Sequence, residues 1–303
     1  MTNVLPVSDQ SIAAAAELIL RGEPVAVPTE TVYGLAADAT NAEAVARIYE
    51  AKGRPGFNPL IVHVADLAAA ERIGNFDAAA RALAASYWPG PLTLVVPLRP
   101  GEPVAALVTA GLGTVALRVP AHPAMRALLA ATGRPLAAPS ANSSGSISPT
   151  RAEHVLRSLG GRIPLILDGG ACEQGLESTI IGATGSGLRL LRAGPLLIDA
   201  EAGDGDGIEA PGQLASHYAP AKPLRLEADE PRDGEYLIGF GALSGDDNLS
   251  AGGDLVEAAA NLFAALHRAD LAAPPRIAVA SIPGEGLGLA INDRLRRAAA
   301  PRR

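Results

Sequence analysis

The 303-residue sequence has a single cysteine, Cys172, so it can form neither an internal disulfide nor a zinc site made of several cysteines. A chain without disulfides suits a reducing compartment, and we expect a cytoplasmic protein. Its first residues, MTNVLPVSDQ, lack the basic segment and apolar core of a signal peptide. No uncharged apolar run approaches the roughly 20 residues that span a bilayer, so we expect no membrane association.

Aromatic residues make up only 3% of the chain, and the formal net charge is −7. Few aromatics leave little surface for stacking single-stranded bases, and a negative net charge opposes general binding to phosphate backbones. A small local cationic pocket is still compatible with this charge. Because 48% of the residues are hydrophobic and 19% are charged, we expect a folded globular chain.

Helical periods alternate with short apolar runs over residues 1–200, which predicts an α/β domain with a partly antiparallel sheet. Within it, NAEAVARIYEAKG is a predicted helix that follows the cap Asn41 and stops at Gly53. Residues 201–222 begin with glycines and acids and have no apolar period, so we predict a linker. Residues 223–303 show strand, helix, strand and helix patterns, which indicate a second, smaller α/β domain.

Two cations stand close together in AKGRPGFNP, directly after the predicted helix. Lys52 and Arg54 lie two positions apart, and in an extended loop both side chains would point the same way. Such a pair can clamp a polyphosphate, with lysine as a compact charge and arginine as a planar fork. The alternative is a solvated basic loop, which the spacing alone favours because surface Lys and Arg pairs are common.

A second polar loop, APSANSSGSISPT, follows a predicted strand and precedes a predicted helix. Its hydroxyls, its amide at Asn142 and the backbone N–H groups of a helix N-terminus can together hold an anion. Composition alone slightly favours the alternative, a serine-rich turn with a helix cap.

Several polar residues occur within or directly after apolar strands. Thr29 and Thr31 follow a strand and can bind a small polar ligand or cap a turn. His63 lies inside an apolar strand, where a lone histidine is more often a satisfied core residue than a catalyst. Arg118 also lies in an apolar strand and needs an anionic partner, either Asp or Glu or a ligand carboxylate.

Familiar catalytic and nucleotide-binding signatures are missing. The sequence has no G-x-x-x-x-G-K-[ST] loop, no Ser-His-Asp order and no HExxH. The glycines of IPGEGLGLAIND lack the spacing of a dinucleotide fingerprint, so we interpret them as a turn into the last helix. The residues alone therefore indicate an α/β protein with polar loops suited to an anionic ligand.

Six stretches occur in the order PTETVYGLAADA, AKGRPGFNPLIVHV, WPGPLTLV, LRVPAHP, APSANSSGSISPT and ESTII. Together they resemble the L-threonylcarbamoyladenylate synthase family, whose domain is called YrdC-like. APGQLASHYAP and INDRLRRAA resemble the long, two-domain form of that family. The resemblance implies a YrdC-like twisted mixed sheet with helices, followed by a smaller Rossmann-like α/β C-terminal domain.

The resemblance also implies an activity. The family condenses L-threonine, bicarbonate or CO2 and ATP into threonylcarbamoyl-AMP and pyrophosphate, as a nucleotidyltransferase. Mg²⁺ would accompany ATP and be held mainly by its phosphates, and a downstream transferase would pass the threonylcarbamoyl group to tRNA. The alternatives are a non-catalytic RNA-binding or maturation factor on the same fold and a domain that handles carbamoyl phosphate. Direct tRNA binding by this acidic chain is not supported.

The family signature Lys-x-Arg…Ser-x-Asn falls on Lys52, Arg54, Ser140 and Asn142, and Lys52 and Arg54 are the implied catalytic cations. The implied ATP-binding positions are Lys52, Arg54, Asn58, Thr114, Ser140, Asn142, Ser148, Arg192 and Tyr218. The implied threonine-binding positions are Thr31, His63, Arg118, Ala138 and Ser178. Residues 201–222, with Tyr218, correspond to a flap that would exclude water from a labile carbamate. One departure is Ala193, where many relatives have proline after the arginine, so the loop beyond Arg192 is expected to be looser.

Overall fold

The computed structural model describes residues 1–56, 58–101, 104–185, 187–203, 209–213 and 216–301. The strands of its first sheet are β1 Asn3–Pro6, β2 Val25–Val27, β3 Gly34–Asp38, β4 Ile61–His63, β5 Leu92–Pro97, β6 Thr114–Arg118, β7 Leu136–Ala137, β8 Leu165–Asp168, β9 Thr179–Ala183, β10 Leu188–Arg192 and β11 Glu201–Ala202. They form an 11-stranded sheet in the order β1-β8-β2-β3-β7-β4-β6-β5-β9-β10-β11. The helices of this part are α1 Asp9–Leu20, α2 Ala42–Lys52, α3 Leu67–Ile73, α4 Ala78–Tyr87, α5 Ala106–Thr109, α6 Pro123–Thr132 and α7 Ala152–Leu159.

The last third of the chain forms a second α/β unit. Its elements are β12 Leu224–Ala228, β13 Glu235–Gly239, β14 Asp247–Asn248, α8 Leu255–Leu271, β15 Arg276–Ala280 and α9 Leu287–Ala299. Its four strands pair in parallel in the order β12-β15-β13-β14. Parallel strands joined by a crossover helix are typical of Rossmann-like units, so the predicted character of this domain is confirmed.

The large sheet contains both parallel and antiparallel pairs, as the sequence predicted. The closing pair expected from STIIG and LRLLRAG is confirmed, because β9 and β10 pair antiparallel. Strand β3, with the sequence GLAAD, was not predicted; it consists of small residues and aspartate and has no β-branched side chain. Sheet neighbours on both sides hold it in place instead.

The ends of α2 and the pairing of β4 with β6 position residues of the candidate site. Asn41 caps α2, its side chain accepting the backbone N–H groups of residues 43 and 44, and Gly53 ends the helix in the left-handed conformation with φ of 59°. Both predicted helix ends are therefore confirmed. Strands β4 and β6 pair in parallel with His63 opposite Arg118, so these two side chains reach the carboxyl edge of the sheet side by side.

The sheet is covered on both faces. On one face, Ile12 and Ile19 of α1 pack with Met125 and Leu128 of α6 against Val25. Burial of each such side chain contributes roughly 1.5–3 kcal/mol. Among the described residues, no helix is both long enough and apolar enough to cross a membrane.

The two domains share a core. Val32, Ile147 and Leu176 of the first domain belong to the same buried cluster as Leu262 and Phe263 of α8. The second domain is therefore docked on the first through apolar contact and is not merely tethered to it.

Two histidines stack where the domains meet. The rings of His154, on α7, and His267, on α8, lie with centroids 3.8 Å apart and planes inclined by 22°. His267 Nε2 lies 3.1 Å from the carbonyl oxygen of Ser148. Burial is the main cause that lowers both pKa values, to about 3 for His154 and about 4 for His267, so both rings are neutral in the folded protein at pH 7.

This pair predicts an acid-sensitive domain contact. Its contribution to stability is complete above the ordinary histidine pKa of about 6.5 and is lost as pH falls, because the unfolded chain then binds protons that the folded chain does not. The loss is expected to reach about 1.4 kcal/mol per histidine per pH unit. Urea unfolding between pH 7 and pH 5 should show a flatter dependence for His267→Phe, which keeps an aromatic ring there, than for the unchanged protein. Equal slopes would contradict this account.

Candidate active site

A cavity of about 50 Å³ lies at the carboxyl ends of β4 and β6. The predicted ligand-binding residues that line it are Thr31, Arg54, His63, Arg118, Ala138, Ser140, Ser178, Arg192 and Tyr218. They come from strand ends, from the loop after β7 and from the linker. The fold thus brings together most of the side chains that the family resemblance selected.

Five predicted residues do not line this cavity. Lys52, Asn58, Asn142 and Ser148 are buried directly behind lining residues, as their contacts below show. Thr114 begins β6, whereas Arg118 ends it, and four residues of strand separate the two by about 13 Å. Thr114 therefore lies at the end of β6 that is opposite to the cavity.

A buried ion pair fixes one wall. Arg118 is 3% exposed, and its Nη2 lies 2.5 Å from Oε1 of Glu30. Its Nη1 donates to Thr31 Oγ1 at 3.1 Å and its Nε to the Gly90 carbonyl at 3.2 Å. Burial alone would raise the pKa of Glu30, but the charge and hydrogen bond of Arg118 outweigh it and lower the pKa to about 2. The anionic partner that Arg118 needed is thus a protein carboxylate, and the guanidinium has five N–H groups with which it can also meet a ligand.

His63 stands beside this pair as a neutral ring. Burial, followed by the charge of Arg118, lowers its pKa to about 3. Its Nδ1 is buried without a hydrogen-bond partner in the described part of the chain. His63 can therefore form a hydrogen bond to a ligand but cannot supply charge at neutral pH.

Lys52 and Arg54 do not form the extended pair that their spacing suggested. Lys52 is the last residue of α2, and its Nζ donates to the carbonyls of Ser140 and Asn142 at 2.5 Å each. Arg54 donates to the carbonyls of Asn58 and Pro59, at 3.2 and 2.8 Å. The left-handed turn at Gly53 separates the two directions, so only Arg54 lines the cavity while Lys52 lies behind the serine loop.

Lys52 is buried and Arg54 is half-buried, which excludes a fully solvated basic loop as the explanation of this motif. Burial lowers the pKa of Arg54 to about 10, so it stays charged at pH 7. Burial also lowers the pKa of Lys52, and the nearby Arg54 and Arg162 act in the same direction. In the described part of the chain neither Lys52 nor Arg54 has a carboxylate within 4 Å. Positive charge that is shielded from water and has no carboxylate beside it is an environment that favours an anion.

The serine loop is tied to the wall opposite. Asn142 Nδ2 donates to the carbonyls of Ser143 and Ser146, at 3.0 and 2.8 Å. Ser148 Oγ donates to Glu177 Oε1 at 2.5 Å, and Glu177 lines the cavity. The loop is therefore a hydrogen-bonded structure and not only a serine-rich turn.

Arg192 holds the linker against the cavity. Its Nε donates to the carbonyl of Ser178 and its Nη2 to Ser178 Oγ, both at 3.0 Å, and its Nη1 reaches the Pro211 carbonyl at 3.3 Å. Gly212 has φ of 92°, and a Cβ there would lie 2.9 Å from Arg192 Cδ and from Tyr218 Oη. Three hydrogen bonds thus hold Arg192 although Ala193 follows it, and the looser loop stays a prediction.

The linker covers the cavity. Residues 204–208 and 214–215 of the predicted range lie outside the described part of the chain, and Glu201–Ala202 pairs with β10 as a strand. Tyr218 is 1% exposed and has φ of 63°, and the rings of His217 and Tyr218 lie 4.0 Å apart. Both residues line the cavity, so this segment has the position of a flap.

Several buried polar atoms around the cavity have no hydrogen-bond partner within the described residues. They are Asn58 Nδ2 and Oδ1, His63 Nδ1, Asn142 Oδ1, His217 Nδ1 and Tyr218 Oη. An unsatisfied buried polar group costs about 1–3 kcal/mol. The unpartnered atoms of His63, His217 and Tyr218 belong to residues that line the cavity, which indicates a polar ligand that hydrogen bonds to them.

Three residues of the site were missed by sequence reasoning. Glu30 stands inside the quoted PTET motif, and the need of Arg118 for an acid could have selected it. Glu177 precedes Ser178 in ESTII, and Arg294 lies in INDRLRRAA, but no local pattern shows that these two meet at 2.9 Å across 117 residues.

No group of three or more His, Cys, Asp or Glu side chains able to hold a metal occurs among the described residues. The prediction that Mg²⁺ is held mainly by substrate phosphates is compatible with this arrangement and stays a prediction.

Comparison with known families identifies both halves of the chain. A Sua5–YciO–YrdC family model, described as telomere recombination, matches residues 17–194. A model described as the C-terminal domain of threonylcarbamoyl-AMP synthase matches residues 188–300.

Full-length relatives agree with these matches. A threonylcarbamoyl-AMP synthase of Bacillus subtilis is 42% identical over 100% of this chain and 96% of its own length. Another, of Pyrococcus abyssi, is 40% identical over 96% of this chain and 95% of its own length. A crystal structure of P. abyssi Sua5 complexed with L-threonine matches 98% of both chains with a TM-score of 0.90 and 38% identity. Escherichia coli YciO, 24% identical over 64% of this chain with a TM-score of 0.58, shows the first-domain fold alone.

The buried pair at the cavity wall predicts a large stability effect. Glu30→Gln should lower the free energy of unfolding at pH 7 by about 3–5 kcal/mol, because it leaves the charge of Arg118 buried without its carboxylate. The matched control is Glu17→Gln, whose partner Arg21 lies 3.7 Å away with both side chains more than 60% exposed; it should cost under about 1 kcal/mol. Urea denaturation measures both changes, and similar costs for the two would show that the Glu30 pair has no special role.

Proposed function

Because the chain belongs to the Sua5–YciO–YrdC family in its two-domain form, we propose that it is a threonylcarbamoyl-AMP synthase. The reaction joins L-threonine, CO2 from bicarbonate and ATP, and it releases pyrophosphate. The observation that carries this proposal is the cluster of cations formed by buried Lys52 and Arg192 and half-buried Arg54. Hydrogen bonds to protein oxygens hold these three side chains around one cavity. Full-length relatives that carry this enzyme name support the same substrates.

The proposed chemistry needs positioning and neutralisation of charge and no covalent enzyme intermediate. The amine of threonine adds to CO2 and loses a proton, giving a carbamate. A carbamate oxygen then attacks the α-phosphorus of ATP, and the bond between that phosphorus and the bridging oxygen breaks. The electrons leave with pyrophosphate, which makes the enzyme a nucleotidyltransferase. Such a step gains most from fixed geometry and from cations aimed at the phosphates.

The phosphate side of the site is formed by Lys52, Arg54 and Arg192, with hydrogen bonds from the loop of Ser140 and Asn142. Charge-assisted contacts to phosphate are stronger than neutral ones, and burial strengthens them further. Lys52 positions the loop through two carbonyls and adds positive charge behind it. Mg²⁺, bound to phosphate oxygens, would supply further neutralisation when ATP is present.

The amino-acid side of the site is formed by Thr31, His63, Arg118 and Ser178. Arg118 is oriented by Glu30 and Thr31 and can offer further N–H groups to the threonine carboxylate. Ser178 Oγ lies 2.7 Å from Thr93 Oγ1 and accepts from Arg192, so its hydroxyl lies where the two substrate regions meet. The neutral His63 adds a hydrogen bond without adding charge.

The flap completes the site. A cavity of about 50 Å³ is far smaller than the roughly 300–1,000 Å³ typical of ligand pockets, so the conformation described here is too closed for ATP. We infer that the segment with His217 and Tyr218 opens to admit ATP and closes over the carbamate, protecting it from water. A transferase that modifies tRNA would then consume the released product.

The function is tested by pyrophosphate release. The purified protein with ATP and Mg²⁺ should release pyrophosphate only when both threonine and bicarbonate are present, and mass spectrometry should detect threonylcarbamoyl-AMP. Release that ignores either substrate would overturn the proposal. An RNA-binding or maturation factor would produce neither compound.

Removal of the cavity-lining cation should slow synthesis. Arg54→Ala is expected to reduce kcat/KM for ATP by about 10- to 150-fold, because a charge-assisted hydrogen bond contributes roughly 1.5–3 kcal/mol. The control Arg134→Ala removes a half-exposed arginine whose Nε lies 3.9 Å from Asp38, away from this cavity, and should leave the rate unchanged. A wild-type rate for Arg54→Ala would remove this residue from the phosphate site.

The hydroxyls at the amino-acid side predict selectivity for a substrate hydroxyl. Valine, which replaces the hydroxyl of threonine by a methyl group, should be used at least about 100-fold less efficiently, because Thr31 and Ser178 would lose a hydrogen-bonding partner. Serine should lie between the two. Competition assays with the three amino acids at equal concentration measure this order, and equal turnover of valine and threonine would contradict it.

A further inference from the structure

A fully buried arginine of the second domain reaches the wall of the cavity. Arg294, on α9, is 0% exposed, and its Nε donates to Glu177 Oε2 at 2.9 Å. Its Nη1 donates to the Ala193 carbonyl at 2.7 Å and to the carboxylate of its neighbour Asp293 at 3.0 Å. One side chain thus links α9 to the start of β9 and the end of β10.

The two groups that Arg294 binds on the first domain are next to residues of the site. Glu177 lines the cavity, accepts the hydroxyl of Ser148 and precedes Ser178. Ala193 follows Arg192, which in turn donates to Ser178. A shift of Arg294 would therefore move both ends of the hydrogen-bonded unit that Ser178 and Arg192 form.

Arg294 also contacts the flap. Its Cζ lies 5.4 Å from the centre of the Tyr218 ring, within the range of a cation–π contact. The ring lies 5.6 Å from that of Phe263, on α8. The neighbouring backbone is fixed by the His217 N–H to the Arg297 carbonyl and by the Ala219 N–H to the Gly145 carbonyl. The flap is thus held between the serine loop and the second domain.

Stability alone does not account for this pair. Burying an arginine and a glutamate is expensive in desolvation, and a well-packed apolar pair of the same volume often stabilises a fold as well or better. The ion pair differs from an apolar pair because its contacts are directional. The planar guanidinium fixes the positions of Glu177, the Ala193 carbonyl and the Tyr218 ring relative to one another. This geometry decides where the cavity wall and the flap lie.

We propose that Arg294 is a positioning residue, through which the second domain seats Tyr218 of the flap and Glu177 of the cavity wall for ATP binding. The inference rests on the proposed function for its link to ATP, but the seating of the flap is measurable without turnover. This role of Arg294 means that the second domain contributes to a site whose other residues come from the first domain and the linker.

The test compares Arg294→Lys with the unchanged protein. Lysine keeps the charge but loses the planar fork, so we expect KM for ATP to rise at least tenfold while kcat falls less than threefold. Hydrogen exchange of the peptide that covers residues 216–220 should become at least tenfold faster, with exchange in β4 and β6 unchanged. Arg268→Lys is the control, because Arg268 pairs with Asp247 on the same domain at a half-exposed position; it should change neither quantity.

A double variant keeps the test decisive if Arg294→Lys does not fold. Glu177→Gln with Arg294→Gln removes both charges together, so no buried charge is left without a partner. Faster exchange of residues 216–220 and a raised KM in a folded double variant support the positioning role. Wild-type KM and exchange in either folded variant overturn it. If the unchanged protein makes no threonylcarbamoyl-AMP, the proposed function fails, whereas the exchange measurement still decides whether Arg294 seats the flap.

Discussion

The free-energy cost of burying positive charge determines which groups surround the cations at the cavity. Arg118 and Arg294 each have a buried carboxylate, Glu30 and Glu177. Buried Lys52 and Arg192 and half-buried Arg54 are held by carbonyl and hydroxyl oxygens instead. The ion pairs with carboxylates fix the cavity walls. The cations that have no carboxylate partner among the described residues favour an anion between these walls. A net charge of −7 is therefore compatible with the proposed polyphosphate site, because the positive charge around the cavity is local.

The elements that the sequence predicted well are those whose signals are local. The cap at Asn41, the stop at Gly53 and the antiparallel pair of β9 and β10 each depend on residues close in the chain. The extended-loop prediction for Lys52 and Arg54 was wrong, because the predicted helix itself includes Lys52. No local pattern places Arg294 beside Glu177, since that contact depends on how the two domains dock. The polar loop motifs indicated an anionic ligand, and tertiary structure decides which atoms line the cavity.

The two domains are coupled at three places of different chemistry. An apolar cluster joins Val32 and Phe263, a neutral stack joins His154 and His267, and an ion pair joins Glu177 and Arg294. The first supplies most of the docking energy, since area removed from water is the dominant favourable contribution. The polar pairs fix orientation, because their energies depend on angle as well as distance.

The small volume beneath the flap has a consequence for the speed of binding. If the conformation that admits ATP is only a fraction of the population, the apparent dissociation constant equals the intrinsic one divided by that fraction. Association then becomes limited by the opening of the flap, so the observed rate reaches a plateau as ATP concentration increases. Weaker contacts between Tyr218 and the second domain would increase the association rate of ATP and would also shorten the lifetime of the bound state. In the proposed mechanism, the contacts of Tyr218 would therefore set a compromise between rapid capture of ATP and long retention of a carbamate that water destroys.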